Sequence, residues 1–312
     1  MQSKRFVIGS RASTLALTQT QGIADELKKF YPDAQFEIKT IKTTGDKILD
    51  VALSKIGDKG LFTKEIEEAL LRGEIDLAVH SMKDLPTQIP EGLRIGAATE
   101  REDPRDVLVS RKGFDLKAFP PGAKIGTSSL RRRSQVLNFR NDLAVMDLRG
   151  NLDTRIKKLE QGLYDGIIVA YAGIKRLGLE AKLSLVPLDD LLPQAGQGAL
   201  GIEIRENDER VANIVKALDN ADSHLCVTAE RALLAGLEGG CQVPIGVFAK
   251  VKGTDILIKA GVFSLDGKQA VRHEIAGSKK DAEALGRQLA ERFLKEKIVH
   301  QILDEVRKGS PR

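Results

Sequence analysis

Short apolar runs alternate with helical patterns along the first two thirds of the chain. Each run spans three to six residues and is bounded by Gly, Pro or polar residues, as buried strands are. We expect strands at 6–8, 36–41, 75–79, 93–98, 107–109, 124–126, 143–147, 166–170 and 200–204. Between them, apolar residues recur on one helix face and predict helices ending near residue 30 and over 62–71, 129–139, 152–161, 172–177 and 208–218. This alternation predicts an α/β fold with mainly parallel sheets.

The last third of the chain has a different order of elements. A predicted helix over about 223–237 precedes three strands, at 245–251, 256–263 and 269–275. A long helix over about 280–306 follows them. Consecutive strands covered by helices are typical of a small α+β domain.

Two polar or flexible stretches separate these blocks. Residues 99–105 contain five charged side chains and Pro104, which restricts its neighbour and favours an exposed connection. Residues 193–199 combine a proline with two glycines. We therefore predict that the chain crosses between domains at both stretches, and its length of 312 residues suits two or three domains.

The composition argues against several classes of protein. No apolar run approaches the roughly 18 residues that cross a bilayer. The N-terminus lacks the apolar core of a signal peptide, so we expect a cytoplasmic location. Two cysteines cannot build a disulfide framework, and four scattered histidines show no metal-ligand spacing. The absence of Trp and the 4% aromatic content disfavour a surface that stacks single-stranded nucleic acid.

The net charge of +5 is concentrated in the middle of the chain. Residues 101–193 contain 17 basic and 12 acidic residues, and five basic residues occur without an acidic one between Lys124 and Asn141. A basic region of this kind indicates an anionic partner, which could be nucleic acid, a phosphate or a carboxylate.

Four predicted junctions between a strand and a helix share a chemistry suited to anions. Glycine lets the backbone approach a ligand, Ser, Thr or Asn can cap the helix, and Arg or Lys supplies positive charge. The four junctions are 9–13, 57–60, 126–133 and 149–151. Plain helix caps beside solvated side chains would explain a single junction better, but the repetition favours an anion site. None of them has the spacing of a phosphate-binding P-loop.

The triplet Arg131, Arg132 and Arg133 could alternatively form a DNA-contacting patch or a solvated helix face. Successive residues of a helix point about 100° apart, so three of them cannot face one ligand. We therefore expect Arg133 to differ from its two neighbours.

Two further residues are candidates for chemistry. Asp84 follows the predicted strand at 75–79 and could handle protons or stabilise a cation, although an Asx turn before a proline would also explain it. Cys241 lies on a loop with Gly and Pro and is typical of a reactive or modified thiol. Cys226 instead fits the apolar face of a helix. No histidine near Cys241 in sequence supports a Cys/His catalytic pair.

Taken together, these motifs resemble those of the porphobilinogen deaminase, or hydroxymethylbilane synthase, family. The matching stretches are GSRAS at 9–13, TTGD at 43–46, GLFTKE at 60–65, HSMKDLP at 80–86, GTSSLRR at 126–132, RGN at 149–151 and GGC at 239–241. Each stretch is weak alone, but their order and combination are specific and cover essentially the whole chain.

The resemblance implies a transferase of haem and tetrapyrrole biosynthesis. Its expected reaction joins four porphobilinogen molecules head to tail, with release of ammonia, to give the linear tetrapyrrole hydroxymethylbilane. The resemblance implies a dipyrromethane primer that is joined to Cys241 through a thioether. It makes Asp84 the carboxylate that stabilises positively charged pyrrole intermediates and assists proton transfer.

The resemblance also gives the cations a ligand, since porphobilinogen carries an acetate and a propionate. The substrate-binding residues of the family correspond to Arg11, Ser13, Arg149, Arg155 and Arg176. Besides Cys241 and Asp84, its cofactor-binding residues correspond to Lys83, Ser129, Arg131 and Arg132. Lys55 and Lys59 belong to a stretch that forms a mobile loop over the cleft in this family.

The family fold has three domains, of which two resemble the lobes of type II periplasmic binding proteins and the third is a small α+β domain with a three-stranded sheet. In this chain we expect residues 1–99 with 200–218 to carry Asp84, residues 100–199 to form the basic carboxylate-binding domain, and residues 219–312 to carry Cys241. We expect a monomer with porphobilinogen and the growing polypyrrole as partners, and no metal, nucleic acid or membrane.

Two other functions stay open on the residues alone. A non-enzymatic sensor or solute-binding module for small anions would explain a two-lobed pattern without needing Asp84 or Cys241. A nucleic-acid binder would use Arg131–Arg133 and would lose affinity steeply as salt rises.

Overall fold

The computed structural model describes residues 5–47, 60–237 and 243–309. Its strands form three sheets, of which two have five strands and one has three. We name the two five-stranded units the first lobe and the second lobe, and the three-stranded unit the third domain. None of the described helices is long and apolar enough to cross a membrane.

The first lobe has the strand order β2-β1-β3-β10-β4. Its strands are β1 (Arg5–Arg11), β2 (Gln35–Ile41), β3 (Leu77–Ser81), β4 (Leu93–Ala98) and β10 (Leu200–Arg205). Its helices are α1 (Thr14–Phe30), α2 (Thr44–Lys47), α3 (Lys64–Leu71) and α7 (Glu209–Val215). β1 runs parallel to β2 and β3, whereas β10 is antiparallel to both β3 and β4. Apolar side chains of α1, α7 and one face of the sheet form a common core.

The second lobe has the strand order β7-β6-β8-β5-β9. Its strands are β5 (Asp106–Ser110), β6 (Lys124–Gly126), β7 (Ala144–Met146), β8 (Gly166–Ala170) and β9 (Leu185–Leu188). Its helices are α4 (Leu130–Phe139), α5 (Leu152–Glu160) and α6 (Tyr171–Arg176). β6 is parallel to β7 and β8, and β5 is antiparallel to β8 and β9. Both lobes therefore share one topology, with an antiparallel strand inserted next to one edge of the sheet.

The third domain is an antiparallel sheet covered by helices. Its elements are α8 (Ala221–Gly236), β11 (Ile245–Lys252), β12 (Asp255–Phe263), β13 (Ala270–Ser278), α9 (Ala282–Leu294) and α10 (Lys297–Gly309). The strands follow the order β11-β12-β13, and their inner face packs with the three helices into one core. The prediction of two α/β lobes and a small α+β domain is confirmed, while the exact domain boundaries stay a prediction.

The structure differs from the sequence predictions at three places. Four strands of each five-stranded sheet run in one direction, as expected of mainly parallel sheets, but β10 and β5 run antiparallel to both of their neighbours, which was not foreseen. The helix expected over 280–306 is two helices, since a turn near Lys295 lets Phe293 and Val299 pack into the same core. The edge strand β9 was not foreseen because Pro187 interrupts its apolar pattern, and a sheet edge tolerates proline because a strand there has a neighbour on one side only.

The chain passes from the first sheet to the second at residues 99–105 and returns at 193–199, where the sequence predicts the crossings. Both crossing segments are tied to the buried Glu230 of α8. Arg101 donates to its two carboxyl oxygens at 2.6 and 3.1 Å, and the Gly196 N–H donates at 2.7 Å. The third domain is thereby anchored to the connection between the lobes.

Candidate functional site

The carboxyl ends of β1 and β3 bring four predicted site residues to one edge of the first sheet. Arg11 is the last residue of β1, and Ser13 follows it as the N-cap of α1, accepting from the Ala16 N–H at 3.3 Å. Lys83 and Asp84 lie in a short 3-10 turn directly after β3. The strands are parallel neighbours, so these ends share the side where α/β sheets bind ligands.

Arg11 is held between an acid and an aromatic ring. It donates to Asp46 at 2.5 Å, and its guanidinium carbon lies 4.1 Å from the centre of the Phe62 ring. The Thr43 hydroxyl donates to the same carboxyl at 2.8 Å. Burial raises the pKa of Asp46, but Arg11 and Thr43 outweigh it, and the net effect lowers that pKa. A carboxylate ligand would therefore meet a guanidinium whose position is already fixed.

Arg131 and Arg132 of α4 are buried and share one carboxyl of the protein. Each places a guanidinium nitrogen 2.8 Å from Asp106, on opposite carboxyl oxygens. Ser129 is the N-cap of α4 and accepts from the Arg132 N–H at 3.4 Å. Arg133 instead donates to the Val145 carbonyl at 2.9 Å, so the expected difference between Arg133 and its neighbours is confirmed.

Asp106 is a site residue that the sequence analysis missed. It is the first residue of β5 and is fully buried. Burial raises its pKa, but the charges of Arg131 and Arg132 dominate and hold that pKa well below its usual range. An acidic residue directly before the apolar run at 107–109 was an available signal, because a buried carboxylate requires a partner.

Gln197 was also missed, and it connects the two lobes. Its buried amide donates to Asp106 at 2.9 Å and to the Pro104 carbonyl at 2.7 Å. Its amide oxygen accepts from Lys83 Nζ at 3.2 Å. A polar bridge therefore runs from Lys83 through the second crossing segment to Asp106. No sequence signal distinguishes this glutamine from an exposed one.

The remaining predicted arginines lie at two places. Arg155 of α5 donates to the Gly150 carbonyl at 2.8 Å, and it interacts electrostatically with Asp84 and Arg132. Arg149 precedes α5, and its charge acts on Arg155. Arg176 ends α6 and donates to the Gly198 carbonyl, so its nearest contact is the crossing segment.

The site contains more buried positive than negative charge. Burial, followed by the charge of Arg132, lowers the pKa of Lys83 to about 8. Burial also lowers the pKa values of Arg155 and Arg176 to about 10. A cation loses hydration when it is buried and regains stability from an anion. The arrangement is therefore suited to a ligand that brings several carboxylates.

Cys241, Lys55 and Lys59 lie outside the described residues. Val243, the first described residue after Cys241, lines a small cavity together with Arg131 and Ala195. Cys226 is buried in α8, and burial raises the pKa of its thiol to about 11, which agrees with an unreactive core cysteine. Within residues 5–47, 60–237 and 243–309, no group of His, Cys, Asp and Glu side chains could hold a metal ion.

Comparisons with known proteins agree over almost the whole chain. The family model for the dipyrromethane cofactor-binding domain of porphobilinogen deaminase matches residues 6–213, and the model for its C-terminal domain matches residues 224–295. The porphobilinogen deaminase of Carboxydothermus hydrogenoformans is 52% identical over 308 residues, covering 98% of this chain and 99% of the relative. That of Chlorobium phaeobacteroides is 50% identical over 310 residues, with coverages of 98% and 99%.

Among solved structures, the methionine-binding protein MetQ matches with a TM-score of 0.46 and 15% identity, covering 71% of this chain and 92% of MetQ. The family models and the sequence relatives decide the assignment. The chain belongs to the porphobilinogen deaminase family, transferases of tetrapyrrole biosynthesis that have a dipyrromethane cofactor-binding domain.

Proposed function

We propose that this chain condenses four porphobilinogen molecules head to tail and releases hydroxymethylbilane. In each condensation the bond from the aminomethyl carbon to nitrogen breaks and ammonia leaves. A carbon–carbon bond then forms to the terminal pyrrole of the growing chain, whose α-carbon loses a proton. On release, the bond between the primer and the methylene group of the first porphobilinogen would break, with water supplying a proton to the primer carbon and a hydroxyl to that methylene group. Four porphobilinogens and one water thus give the product and four ammonia molecules.

The observation that carries the proposal is a set of positively charged side chains from both lobes, in which the charges of Arg131 and Arg132 in the second lobe act on Lys83 in the first. Arg11 Nε in the first lobe and Arg131 Nε in the second are buried and have no hydrogen-bond partner among the described residues. Lys83 and Arg155 add half-buried positive charge beside Asp84. Unpaired buried donors are costly, and an anionic ligand would satisfy them.

The same donors fit a dipyrromethane with carboxylate side chains. Lys83 from the first lobe and Ser129, Arg131 and Arg132 from the second would hold it, and Cys241 would bind it through a thioether. The bound group supplies the pyrrole carbon to which the first substrate is joined. Arg131 lies beside the cavity that Val243 also lines, two residues after Cys241, which agrees with this attachment.

Asp84 would stabilise the positive charge that develops near pyrrole nitrogen when ammonia leaves. A fixed carboxylate stabilises such a charge most where water is scarce. The same carboxylate can accept or return a proton within hydrogen-bond reach. Its neighbours Lys83 and Arg155 interact with it electrostatically.

Arg11, Ser13, Arg149, Arg155 and Arg176 would bind the acetate and propionate of porphobilinogen. Arginine suits this role because its planar fork can pair with a carboxylate through two hydrogen bonds. Ser13 already serves as a helix cap, so its ligand contact would add to that bond. Lys55 and Lys59 would belong to the mobile loop over the cleft that the family resemblance implies. A monomeric, cytoplasmic enzyme stays our prediction.

The intact mass of the purified enzyme tests the cofactor and the reaction class together. We expect a mass above that of the bare chain by one dipyrromethane, lost in Cys241→Ala and kept in the control Cys226→Ala. Fully active enzyme with the mass of the bare chain would contradict the proposal.

Asp84→Asn tests the catalytic carboxylate. The variant should keep its fold and cofactor mass but lose at least about 10²-fold in the rate of ammonia release, as expected when a charge-stabilising group is removed. Near-normal turnover would show that the Asp84 carboxylate is not needed for the reaction.

A further inference from the structure

Three buried acid–base side chains lie inside the first lobe, and the proposed reaction uses none of them. His80 of β3 and Glu203 of β10 are 4% and 0% exposed, and His80 Nε2 lies 3.1 Å from a Glu203 carboxyl oxygen. The strand register pairs His80 with Gly201, so Glu203 lies diagonally across the same sheet face. Glu67 of α3, 7% exposed, belongs to the helix that packs against these strands.

This group has two carboxyl oxygens that lack a hydrogen-bond donor and only one hydroxyl, that of Thr63, that could supply one. Glu67 Oε1, Glu203 Oε1 and Thr63 Oγ1 are buried, and none of these atoms finds a hydrogen-bond partner in the described parts of the chain. Two ionised carboxylates against one imidazole would also leave a buried negative charge, which is expensive. A proton on one carboxyl would remove the excess charge and supply the missing donor.

The surroundings of Glu67 favour it as the carboxyl that keeps a proton. Burial raises the pKa of Glu67, the nearby Thr63 lowers it, and the charge of Glu203 raises it again, with a net upward shift. His80 and the exposed Glu68 have smaller and opposite influences. Arg205 of β10 donates to the Leu70 carbonyl at the far end of α3, away from this carboxyl.

The start of α3 supports the Arg11 region of the site. Phe62 lies two residues before α3, and its ring makes a cation–π contact with the Arg11 guanidinium. Glu65 in the first turn accepts hydrogen bonds from the backbone and the hydroxyl of Thr44. The Gly45 N–H donates to the Leu61 carbonyl at 2.7 Å. A displacement of α3 would therefore move the ring on which Arg11 rests.

We propose that Glu67 is a positioning residue that acts as a neutral carboxylic acid. It donates its proton to the Glu203 carboxylate, which also receives the contact from His80. This bond seats α3 on β3 and β10 and thereby keeps Phe62 under Arg11. The link to Arg11 rests on the proposed function, whereas the protonated carboxyl and its effect on folding do not.

The protonated acid has a definite pH signature. Because the folded-state pKa of Glu67 is raised above the unfolded value of about 4.5, its stabilisation is complete below about pH 4.5 and is lost as pH rises through the folded pKa. Between those two pKa values, this one group increases the unfolding equilibrium constant by up to about tenfold per pH unit. Glu67→Gln stays neutral and should lack this contribution.

The experiment compares Glu67→Gln with Glu68→Gln in the full-length holoenzyme, since Glu68 is the exposed neighbour on the same helix. At a pH above the usual range of exposed carboxyl groups, we expect the infrared spectrum to show a protonated carboxylic acid band in wild type and Glu68→Gln that is missing in Glu67→Gln. Urea unfolding should show a smaller pH dependence in Glu67→Gln than in the other two proteins. No protonated band in wild type, or equal pH dependence in the two variants, would overturn the proposal.

Kinetics separate the positioning role from a purely structural one. In wild type the KM for porphobilinogen should rise with pH as Glu67 loses its proton, with kcat less affected, and Glu67→Gln should reduce this rise. If the infrared result holds but the KM profile does not change, the neutral acid stands and its link to Arg11 is wrong. If Glu67→Gln fails to fold, the wild-type band and its shift in Glu203→Gln decide the question, because that variant replaces the carboxylate acceptor of the proposed hydrogen bond.

Discussion

The two lobes share one strand order but hold their predicted anion-binding arginines in different ways. In the first lobe, the side chains of Arg11 and Asp46 are 23% and 20% exposed and pair at the margin of the site. In the second lobe, Arg131 and Arg132 are 3% and 7% exposed, and both pair with the fully buried Asp106. Similar junctions between strand and helix thus give a partly solvated cation in one lobe and a buried cationic cluster in the other.

This difference shows where the protein fixes charge before any ligand arrives. Each charge of a buried ion pair loses its hydration and depends on the partner charge for stabilisation. Water still solvates the charges of a partly exposed pair. Asp106 balances only one of its two arginines, so the second lobe keeps excess positive charge in a poorly hydrated place. Gln197 joins this cluster to Lys83, which extends the fixed arrangement across the crossing segments.

The largest expected effect comes from removing the shared carboxylate of the second lobe. Asp106→Ala should lower the free energy of unfolding by about 3–5 kcal/mol, because it leaves two buried guanidinium groups without their partner. Urea unfolding measures the loss. Asp189→Ala is the control, since Asp189 is 75% exposed and pairs with Arg105, and it should cost at most about 1 kcal/mol. Equal losses would show that burial does not distinguish the two ion pairs.

Lys83 gives a smaller effect that depends on pH. In cofactor-free Cys241→Ala protein its amine should titrate near the lowered pKa of about 8. In the holoenzyme, nearby carboxylates should raise that pKa by about one unit or more, which corresponds to at least about tenfold stabilisation of the charged form. NMR titration of labelled lysines measures both values, and Lys83→Met assigns the signal. The same pKa in both forms would show that the bound carboxylates do not interact with the Lys83 amine.

The smallest effect is expected at the partly exposed pair of the first lobe. Asp46→Asn should lower the free energy of unfolding by about 1 kcal/mol at neutral pH. Because the pKa of Asp46 is lowered from 3.8, its contribution is present above about pH 4 and is lost as pH falls through the folded-state value. Wild type and variant should therefore converge in acid unfolding experiments. A loss as large as that of Asp106→Ala would contradict the contrast between the lobes.

Much of the fold followed from local patterns. The strands at 124–126 and 166–170 have the predicted bounds, and α1 ends at Phe30 as expected. These segments are predictable because apolar spacing and flanking Gly or polar residues act over a few neighbours. Strand direction was harder to predict, because the apolar patterns of β5 and β10 are those of any buried strand. Their antiparallel direction depends on how the chain connects them to distant strands.

The candidate site was predictable in its residue types but not in its pairings. Motifs located Arg11, Lys83, Asp84, Arg131 and Arg132, and the structure brings Lys83, Asp84, Arg132 and Arg155 within electrostatic range of one another. The partners Asp46, Asp106 and Gln197 were missed as such. They lie 35, 26 and 114 residues from Arg11, Arg132 and Lys83, and no local pattern connects positions that far apart.

The sequence alone determined the alternating α/β architecture, the two crossing stretches, the family resemblance and the set of candidate residues. These depend on periodicity and on short motifs, which a single chain displays directly. The tertiary structure alone decided which charges are buried and which carboxyl each arginine contacts. Burial and pairing depend on distances between segments far apart in the chain, and the energy of a charge depends mainly on those distances and on the loss of water around it.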